Sequence, residues 1–229
     1  MTPTGNLTPL PSPADPDPYR VLSRTPLYDS PWIRLREDRY QHRRGATGRY
    51  AVCGFRRTGC GVLALDEEDR VVLVGQWRYP LETYSWEIPE GGGEADESPL
   101  SAIQRELAEE AGLTARVWEP LAFFNNSNSS TDEEAYLFLA RGLGEVPGGH
   151  APELDEELKL HREPFAQCLA RVLSGEITDV LTVVALLTLQ ARRSGAAGAM
   201  DPDLAERFFQ APAQHPSPGR ARWSKLEEL

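Results

Sequence analysis

Apolar residues recur at helical spacing in two parts of the chain. In the first part, they repeat every three or four positions and form one stripe: Leu100, Ile103, Leu107 and Ala111. Ser98 suits the N-cap of this helix, Pro99 its first position and Gly112 its C-terminal cap. A second helix is predicted at roughly 177–193. It has the most apolar face of the chain, and we expect it to pack on a sheet.

Shorter apolar runs with β-branched residues predict strands at 31–36, 49–55, 61–65, 70–76, 85–88, 116–124, 135–140 and 158–161. The polar turn at 66–69 predicts a hairpin of the strands on either side of it. Three consecutive glycines at 91–93 predict a loop. Short strands with two dissimilar helices indicate a mixed α/β sandwich rather than a regular parallel sheet.

Both ends of the chain have the composition of unstructured segments. Residues 1–18 contain six prolines and almost nothing to bury, which predicts a disordered leader. From Ser194 onward, small residues interrupt the second helix, and 194–229 is expected to be a flexible tail with one further helix at 201–210.

The net charge of the chain limits the kinds of molecule that it is expected to bind. With 40% hydrophobic and 26% charged residues, the chain has enough apolar material for a core, but its formal net charge is −11. An acidic surface repels nucleic-acid backbones and anionic membranes, so neither is expected as a partner. A polyphosphate substrate would need a cation between itself and such a protein.

Cysteine usage and the apolar runs predict a cytoplasmic protein. The three cysteines form no C-x-x-C pair, and an odd number is no disulfide framework, which is typical of thiols in a reducing compartment. The first 18 residues lack the basic and apolar regions of a signal peptide. The longest strongly apolar run, 180–189, is too short to span a bilayer.

Three carboxylates cluster on one flank of the first helix. Glu106 and Glu110 stand four residues apart, so their side chains lie one above the other, with Glu109 beside them. Like charges at this spacing repel, and Mg²⁺ prefers one or two carboxylates together with substrate phosphates. By themselves, these three residues are more typical of an acidic helix face turned to solvent than of a metal site.

The spacing around this flank is more specific. Gly91 is followed by five residues, then Glu97, then seven residues, and then the run Arg105-Glu106-Leu107-Ala108-Glu109-Glu110-Ala111-Gly112-Leu113. A match of this kind at every specified position is expected by chance about once in a million chains or less. The chain therefore resembles the Nudix hydrolases, through a motif that covers 91–113 and a weaker likeness over about 20–193.

The resemblance implies a Nudix-type α/β/α sandwich and a mechanism. Members of the family hydrolyse a nucleoside diphosphate linked to another group, by attack of water at phosphorus. Glu106 and Glu110 would be the main ligands of Mg²⁺ (or Mn²⁺), with Glu109 in support and the backbone carbonyl of Glu90 completing the site. Arg105 and Glu97 would orient the loop and helix by ion pairing, and Gly91 and Gly112 would have structural roles.

Flanking stretches are similar to the ADP-ribose and nucleotide-sugar pyrophosphatases, notably 76–80, 86–91, 130–140 and 175–179. This branch implies a homodimer built through an N-terminal β subdomain at 19–58, followed by a hydrolase domain at 59–193. Arg78 and Glu87 would contact substrate. Three aromatic residues are candidates for stacking on a base, although core packing is the expected role of each one taken singly: Trp77, Trp86 and Phe124.

Two points stay open within this branch. Many ADP-ribose-cleaving members have Ser-Pro-Gly where this chain has Ser127-Asn128-Ser129, so a nucleotide sugar such as GDP-mannose is as compatible as ADP-ribose. The general base is predicted in the acidic loop at 153–157, with Glu156 as the first candidate and Glu153 as the second.

Other functions are compatible with the same residues. The resemblance implies a small nucleoside diphosphate as substrate, and two other diphosphates remain alternatives: coenzyme A, and a dinucleotide such as NADH. A non-catalytic Nudix-fold nucleotide sensor is the alternative from another class, although such sensors often lose carboxylates that this motif retains. Nucleic-acid processing is not expected, because the chain lacks a basic stripe.

Overall fold

The first three strands of the chain form an antiparallel sheet. The computed structural model describes residues 10–11, 17–147, 157–196, 198, 200–213 and 223. The strands of this sheet are β1 (Tyr19–Asp29), β2 (Ile33–His42) and β3 (Thr47–Phe55), in the order β1-β2-β3. β2 pairs with β3 without interruption, whereas β1 shifts register against β2 at two points.

Two further sheets follow. The first has the order β7-β4-β9-β8, and β4 runs parallel to β9 while its other pairs are antiparallel. Its strands are β4 (Thr58–Ala64), β7 (Glu90–Gly93), β8 (Leu113–Asn125) and β9 (Glu134–Glu145). The second has the antiparallel order β10-β5-β6, with β5 (Arg70–Arg78), β6 (Thr83–Glu87) and β10 (Lys159–Pro164).

Helices cover both faces of these sheets. The helices are α1 (Pro99–Ala111), α2 (Phe165–Ser174), α3 (Val180–Arg193) and the short α4 (Pro202–Glu206), and 3₁₀ turns lie at Tyr79–Leu81 and Arg207–Phe209. One buried cluster joins α1 to the sheet, and another joins α2 and α3 to the opposite face. The predicted sandwich with a mixed sheet is therefore confirmed. Among the described residues, no helix is both long and apolar enough to cross a membrane.

Local signals place α1 where the sequence predicts it. The Ser98 hydroxyl accepts a hydrogen bond from the Ser101 N–H at 3.1 Å, and Pro99 occupies the first turn. Gly112 ends the helix with φ of 63°, a conformation that glycine adopts at little cost. α3 begins three residues later than predicted, because the Asp179 carboxylate caps it.

The predicted hairpin is wrong. Its two strands, β4 and β5, belong to different sheets, and a single antiparallel bridge between Leu65 and Val71 joins them beside the turn. β4 pairs instead with β7 and β9. The turn sequence predicts the reversal of the chain but not the partner of each strand.

The predicted loop at 91–93 is also wrong, since these glycines form part of β7 and pair with β4. None of the three has a positive φ. Their small size serves close packing: a Cβ on Gly91 would overlap the Glu106 carboxylate, and one on Gly93 would lie 2.9 Å from the Ala102 methyl. A glycine run can thus form a strand where a helix approaches it.

Part of the predicted flexible tail packs on the domain. Phe208 is completely buried among Tyr136, Phe138 and the residues of α1. Trp223 is only 5% exposed and lies on the N-terminal sheet. The helix predicted at 201–210 is divided between α4 and a 3₁₀ turn, and the predicted leader lies mostly outside the described residues.

Candidate functional site

α1 brings two of its glutamates against the backbone of β7. Glu110 is 4% exposed, and its Oε2 accepts a hydrogen bond from the Glu90 N–H at 3.0 Å. The Glu106 carboxylate lies against Gly91, at the place that a side chain would fill there. The predicted acidic flank therefore does not face solvent at these two positions, but packs on the strand that precedes it.

Arg105 joins the other carboxylates of the motif. Its Nη1 donates to Glu106 Oε1 at 2.8 Å and to Glu109 Oε2 at 2.9 Å. Its Nη2 donates to Glu97 Oε2 at 3.2 Å and to the Gly92 carbonyl at 3.3 Å. These charged neighbours raise the pKa of the Arg105 guanidinium above its ordinary value, although burial opposes them. Arg105 thereby fixes α1 to the segment that enters it.

Arg78, at the end of β5, holds a second pair of carboxylates. Its Nε lies 2.9 Å from Glu87 Oε1, and its Nη2 lies 2.6 Å from Glu90 Oε1 and also contacts Glu87 Oε2. Glu87 is only 2% exposed, while the Arg78 side chain is 35% exposed. Of the two residues predicted to contact substrate, Arg78 is thus the one that a solute can reach.

Asp179 was not predicted as a site residue. One oxygen of each of Glu87, Glu90 and Asp179 lies within 4.8 Å of the others, a spacing that suits a metal ion. Asp179 also caps α3 through the Thr182 N–H at 2.8 Å, and the Thr182 hydroxyl accepts from the Ile88 N–H at 2.9 Å. The start of α3 is therefore tied to the residues that lead into β7.

Negative charge exceeds positive charge at this place. Burial, and then the charges of Asp179 and Glu87, raise the pKa of the Glu90 carboxyl well above its ordinary value, although Arg78 acts in the opposite direction. Glu90 Oε2 is buried without a hydrogen-bond partner in the described part of the chain. A bound cation would relieve both conditions.

The structure brings seven predicted motif residues together, Glu90, Gly91, Glu97, Arg105, Glu106, Glu109 and Glu110, while Gly112 ends α1. The two candidate bases, Glu153 and Glu156, lie outside the described residues. Of the aromatic candidates, Trp86 and Phe124 pack against the core, whereas Trp77 is 59% exposed. Asp179 lies in the first turn of the predicted helix at 177–193, and its suitability as an N-cap was its signal in the sequence.

Comparison with known proteins gives concordant matches. The family model of the NUDIX domain matches residues 55–171. ADP-ribose pyrophosphatase of Mycobacterium tuberculosis (strain ATCC 25618 / H37Rv) is 31% identical over 137 residues, which are 59% of this chain and 66% of that protein. ADP-ribose pyrophosphatase of Bacillus subtilis (strain 168) is 33% identical over 133 residues, 58% of this chain and 72% of that protein.

A solved structure with the same fold is that of an ADP compounds hydrolase. It superposes with a TM-score of 0.70 and covers 79% of this chain and 98% of its own. Its sequence is 18% identical, so the likeness concerns the fold alone.

Proposed function

The chain belongs to the Nudix hydrolase family, and from this premise we propose that it splits the pyrophosphate bond of ADP-ribose or of a nucleoside-diphosphate sugar, with Mg²⁺. The products are a nucleoside monophosphate and a sugar phosphate. One observation carries the proposal: acidic side chains from β6, β7, α1 and the cap of α3 lie together around Glu90 and Gly91.

The donor set at this place fits a hard divalent cation. Arg78 pairs with Glu87 and Glu90, and Arg105 pairs with Glu106 and Glu109. Two more carboxylates approach Glu90, those of Glu110 and Asp179, so six carboxylates of the described residues lie near two guanidinium groups. Carboxylate oxygens are the protein ligands that Mg²⁺ prefers, and Nudix enzymes generally use divalent metals. When bound, the cation neutralises the diphosphate and lowers the pKa of its water.

Each residue of the site has a distinct role in the proposed reaction. Glu106, Glu110 and the Glu90 carbonyl hold the cation, with Glu109 in support and Asp179 as an additional acidic neighbour. Arg105 and Glu97 keep the motif in shape, and the accessible guanidinium of Arg78 meets the anionic oxygens of the substrate.

The proton is removed from water by a carboxylate of the acidic loop, Glu156 first and Glu153 second. Glu156→Gln is expected to reduce kcat strongly while metal binding, followed by titration calorimetry, persists. Unchanged turnover would remove Glu156 from this role and pass it to Glu153.

A homodimer is part of the proposal. The N-terminal sheet exposes large apolar side chains, with Leu27 and Tyr28 each 55% exposed and Trp32 66% exposed. Large apolar side chains exposed on one small sheet support an interface there. Sedimentation equilibrium is expected to give twice the mass of the 25.4 kDa chain, and Trp32→Glu is expected to give a monomer.

Turnover of ADP-ribose, GDP-mannose, UDP-glucose and NADH is the direct test, with phosphate released from the products by an added phosphatase. Each is assayed with Mg²⁺ and with EDTA, beside Glu110→Gln. Glu94→Gln is a matched control, since Glu94 is exposed and pairs with Arg57. We expect one compound to be cut only with metal, by wild type and Glu94→Gln but not by Glu110→Gln. Saturable binding without any product would instead indicate a nucleotide sensor.

A further inference from the structure

The chain continues beyond the last long helix of the sandwich and returns to the hydrolase domain. Residues 200–213, here called the C-terminal segment, follow α3 and lie outside the family match at 55–171. The segment contains α4 and the 3₁₀ turn Arg207–Phe209. The Asp201 carboxylate caps α4, since it accepts a hydrogen bond from the Leu204 N–H at 3.1 Å. The C-terminal segment is therefore an ordered part of this chain beyond the matched domain.

The C-terminal segment packs beside α1 on the same face of the sheet. α1 contacts β4, β7 and β8, and the 3₁₀ turn of the segment contacts α1. Phe208 is completely buried, and its ring meets Tyr136 and Phe138 of β9 edge to face, at 5.0 and 5.1 Å. The same apolar cluster contains Ile103 and Leu107 of α1. Phe208 thus fills space beside the helix that carries the motif glutamates.

Two polar contacts hold the segment in place. Arg207 Nη2 donates to Glu134 Oε1 at 3.2 Å, and Glu134 is only 5% exposed. The Ala213 N–H donates to the Ala95 carbonyl at 2.9 Å. Ala95 lies in the loop between β7 and α1, inside the motif at 91–113. The segment therefore contacts both the motif helix and the loop that leads into it.

The carboxylates of α1 depend on the position of the whole helix. Glu110 accepts from the Glu90 N–H at 3.0 Å, and Glu106 lies against Gly91, so a small displacement of α1 separates these groups. Protein interiors are close-packed, and removal of the Phe208 ring leaves space into which the helix can move. Residues that orient metal ligands without touching the metal typically account for about 10–100-fold in metal affinity.

We propose that Phe208 is a positioning residue for the hydrolytic reaction, and that the C-terminal segment holds α1 and its entry loop in the geometry that binds the metal ion. This inference rests on the proposed function, because it concerns the same metal site. Phe208 touches neither the metal nor the substrate and acts through α1.

Titration calorimetry with Mg²⁺ alone, without substrate, tests the inference on the full chain. Phe208→Ala is expected to raise the Kd for Mg²⁺ roughly 10-fold, whereas Phe208→Leu keeps a large apolar side chain and should stay within about threefold of wild type. Phe209→Ala is a matched control, because Phe209 is the next residue but is 49% exposed. It should leave the Kd unchanged.

A second control separates positioning from a general loss of stability. Phe165 is 4% exposed and packs in the cluster on the opposite face of the sheet. Phe165→Ala and Phe208→Ala should both lower the melting temperature, since each leaves a cavity in a core. Only Phe208→Ala should weaken Mg²⁺ binding. All titrations are made well below the lowest melting temperature, so that every variant is folded.

Hydrogen exchange in EDTA gives a readout that needs no metal. Compared at the same interval below each melting temperature, the amides of α1 and of the loop at 94–98 should exchange faster in Phe208→Ala than in Phe165→Ala. In steady-state kinetics of Phe208→Ala, the Mg²⁺ concentration for half-maximal turnover should rise roughly 10-fold. The KM for the nucleotide substrate at saturating Mg²⁺ should stay within about twofold of wild type.

Equal Mg²⁺ affinity in Phe208→Ala and wild type overturns the inference, as does an equal loss in Phe208→Ala and Phe165→Ala. Failure of the proposed function is seen separately, as the absence of product from every compound in the wild-type assay, because the calorimetric comparison needs no substrate.

A milder variant covers the case in which Phe208→Ala does not fold. Ala213 is exposed, and Ala213→Pro removes the N–H that meets the Ala95 carbonyl. The Kd for Mg²⁺ should then rise roughly threefold, the scale of one hydrogen bond. An unchanged Kd in this variant overturns the inference.

Discussion

Buried carboxylates occur in two regions of this molecule and meet opposite surroundings. On β10, Glu163 is 4% exposed and receives hydrogen bonds from Arg171 Nε and Nη2, both at 2.8 Å. These hydrogen bonds hold the pKa of the Glu163 carboxyl below its ordinary value, although burial opposes them. Around Glu90, acidic groups outnumber their cationic partners, and burial raises the pKa of Glu90 instead.

The difference separates a structural carboxylate from a site for a ligand. Glu163 has its own counter-charge, so the fold gains from its ionisation. The carboxylates around Glu90 have too few positively charged partners, so the folded state without a bound cation is less stable when all of them are ionised. Burial alone does not distinguish the two regions; the number of cationic partners does.

The substitution with the largest expected effect tests whether the excess of carboxylates around Glu90 binds a metal ion. Glu110→Gln should lower kcat by about 10²–10³-fold, the scale expected when one group that stabilises developing charge is lost. Addition of Mg²⁺ should raise the melting temperature of the wild type but not of this variant. Scanning calorimetry beside the turnover assay checks both; an equal Mg²⁺ response in the two proteins would show that Glu110 does not bind metal.

The next largest effect on kcat is expected from a comparison of Gly91 with its neighbour Gly92. Gly91→Ala places a methyl group against the Glu106 carboxylate, and we expect kcat to fall roughly 10–100-fold, as when the support of a metal ligand is disturbed. Gly92→Ala meets Arg57 Cδ at 2.6 Å instead, and the partly exposed arginine can move away. Steady-state kinetics should show Gly92→Ala within about twofold of wild type; equal losses would contradict this role for Glu106.

At Glu163, the carboxylate with its own arginine, neutralisation should destabilise the protein. Glu163→Gln is expected to lower the melting temperature at pH 7 by about 2–4 °C, a modest loss because the Arg171 side chain is 40% exposed and solvent screens it. Because the folded-state pKa is depressed, the loss should be complete above about pH 5 and disappear as pH falls below roughly 4. Turnover should not change. A pH-independent loss would indicate packing rather than charge.

At Glu90, neutralisation should change the melting temperature in the opposite direction. Glu90 keeps its proton in the folded state to higher pH than in the unfolded chain, so its contribution to stability falls as pH rises above about 4.3. In EDTA at pH 8, Glu90→Gln should therefore raise the melting temperature, by about 2–4 °C, and have no effect near pH 4. Thermal melts at the two pH values decide this, and a lower melting temperature at pH 8 would refute the acidic excess.

Local signals of the sequence predict α1 well, because its determinants lie within a few residues of each other: Ser98, Pro99 and Gly112 act on their own turns. Sheet partners depend on distant residues, and here local signals fail. The turn at 66–69 gives the reversal, but β4 finds its parallel partner β9 more than 70 residues away. α2 escaped prediction altogether.

The candidate site divides in the same way. The motif predicts the glutamates of α1 because a helix fixes their spacing. It does not predict that Glu110 binds the Glu90 N–H or that Asp179 joins the group, since both depend on how β7 and α3 pack. The glycines of β7 look like a loop until Glu106 is placed against them.

The contact of Trp223 with Asp132 also has a consequence in time. These residues are separated by 91 positions, and a ribosome adds about 5 to 20 residues per second. Strands β2 and β3 end at Phe55, so they are synthesised roughly 8 to 34 seconds before the ring that covers Gly54 and Arg34. During synthesis, Gly54 and Arg34 therefore lack this tryptophan, and the packing of Trp223 on them forms only after Trp223 has left the ribosome.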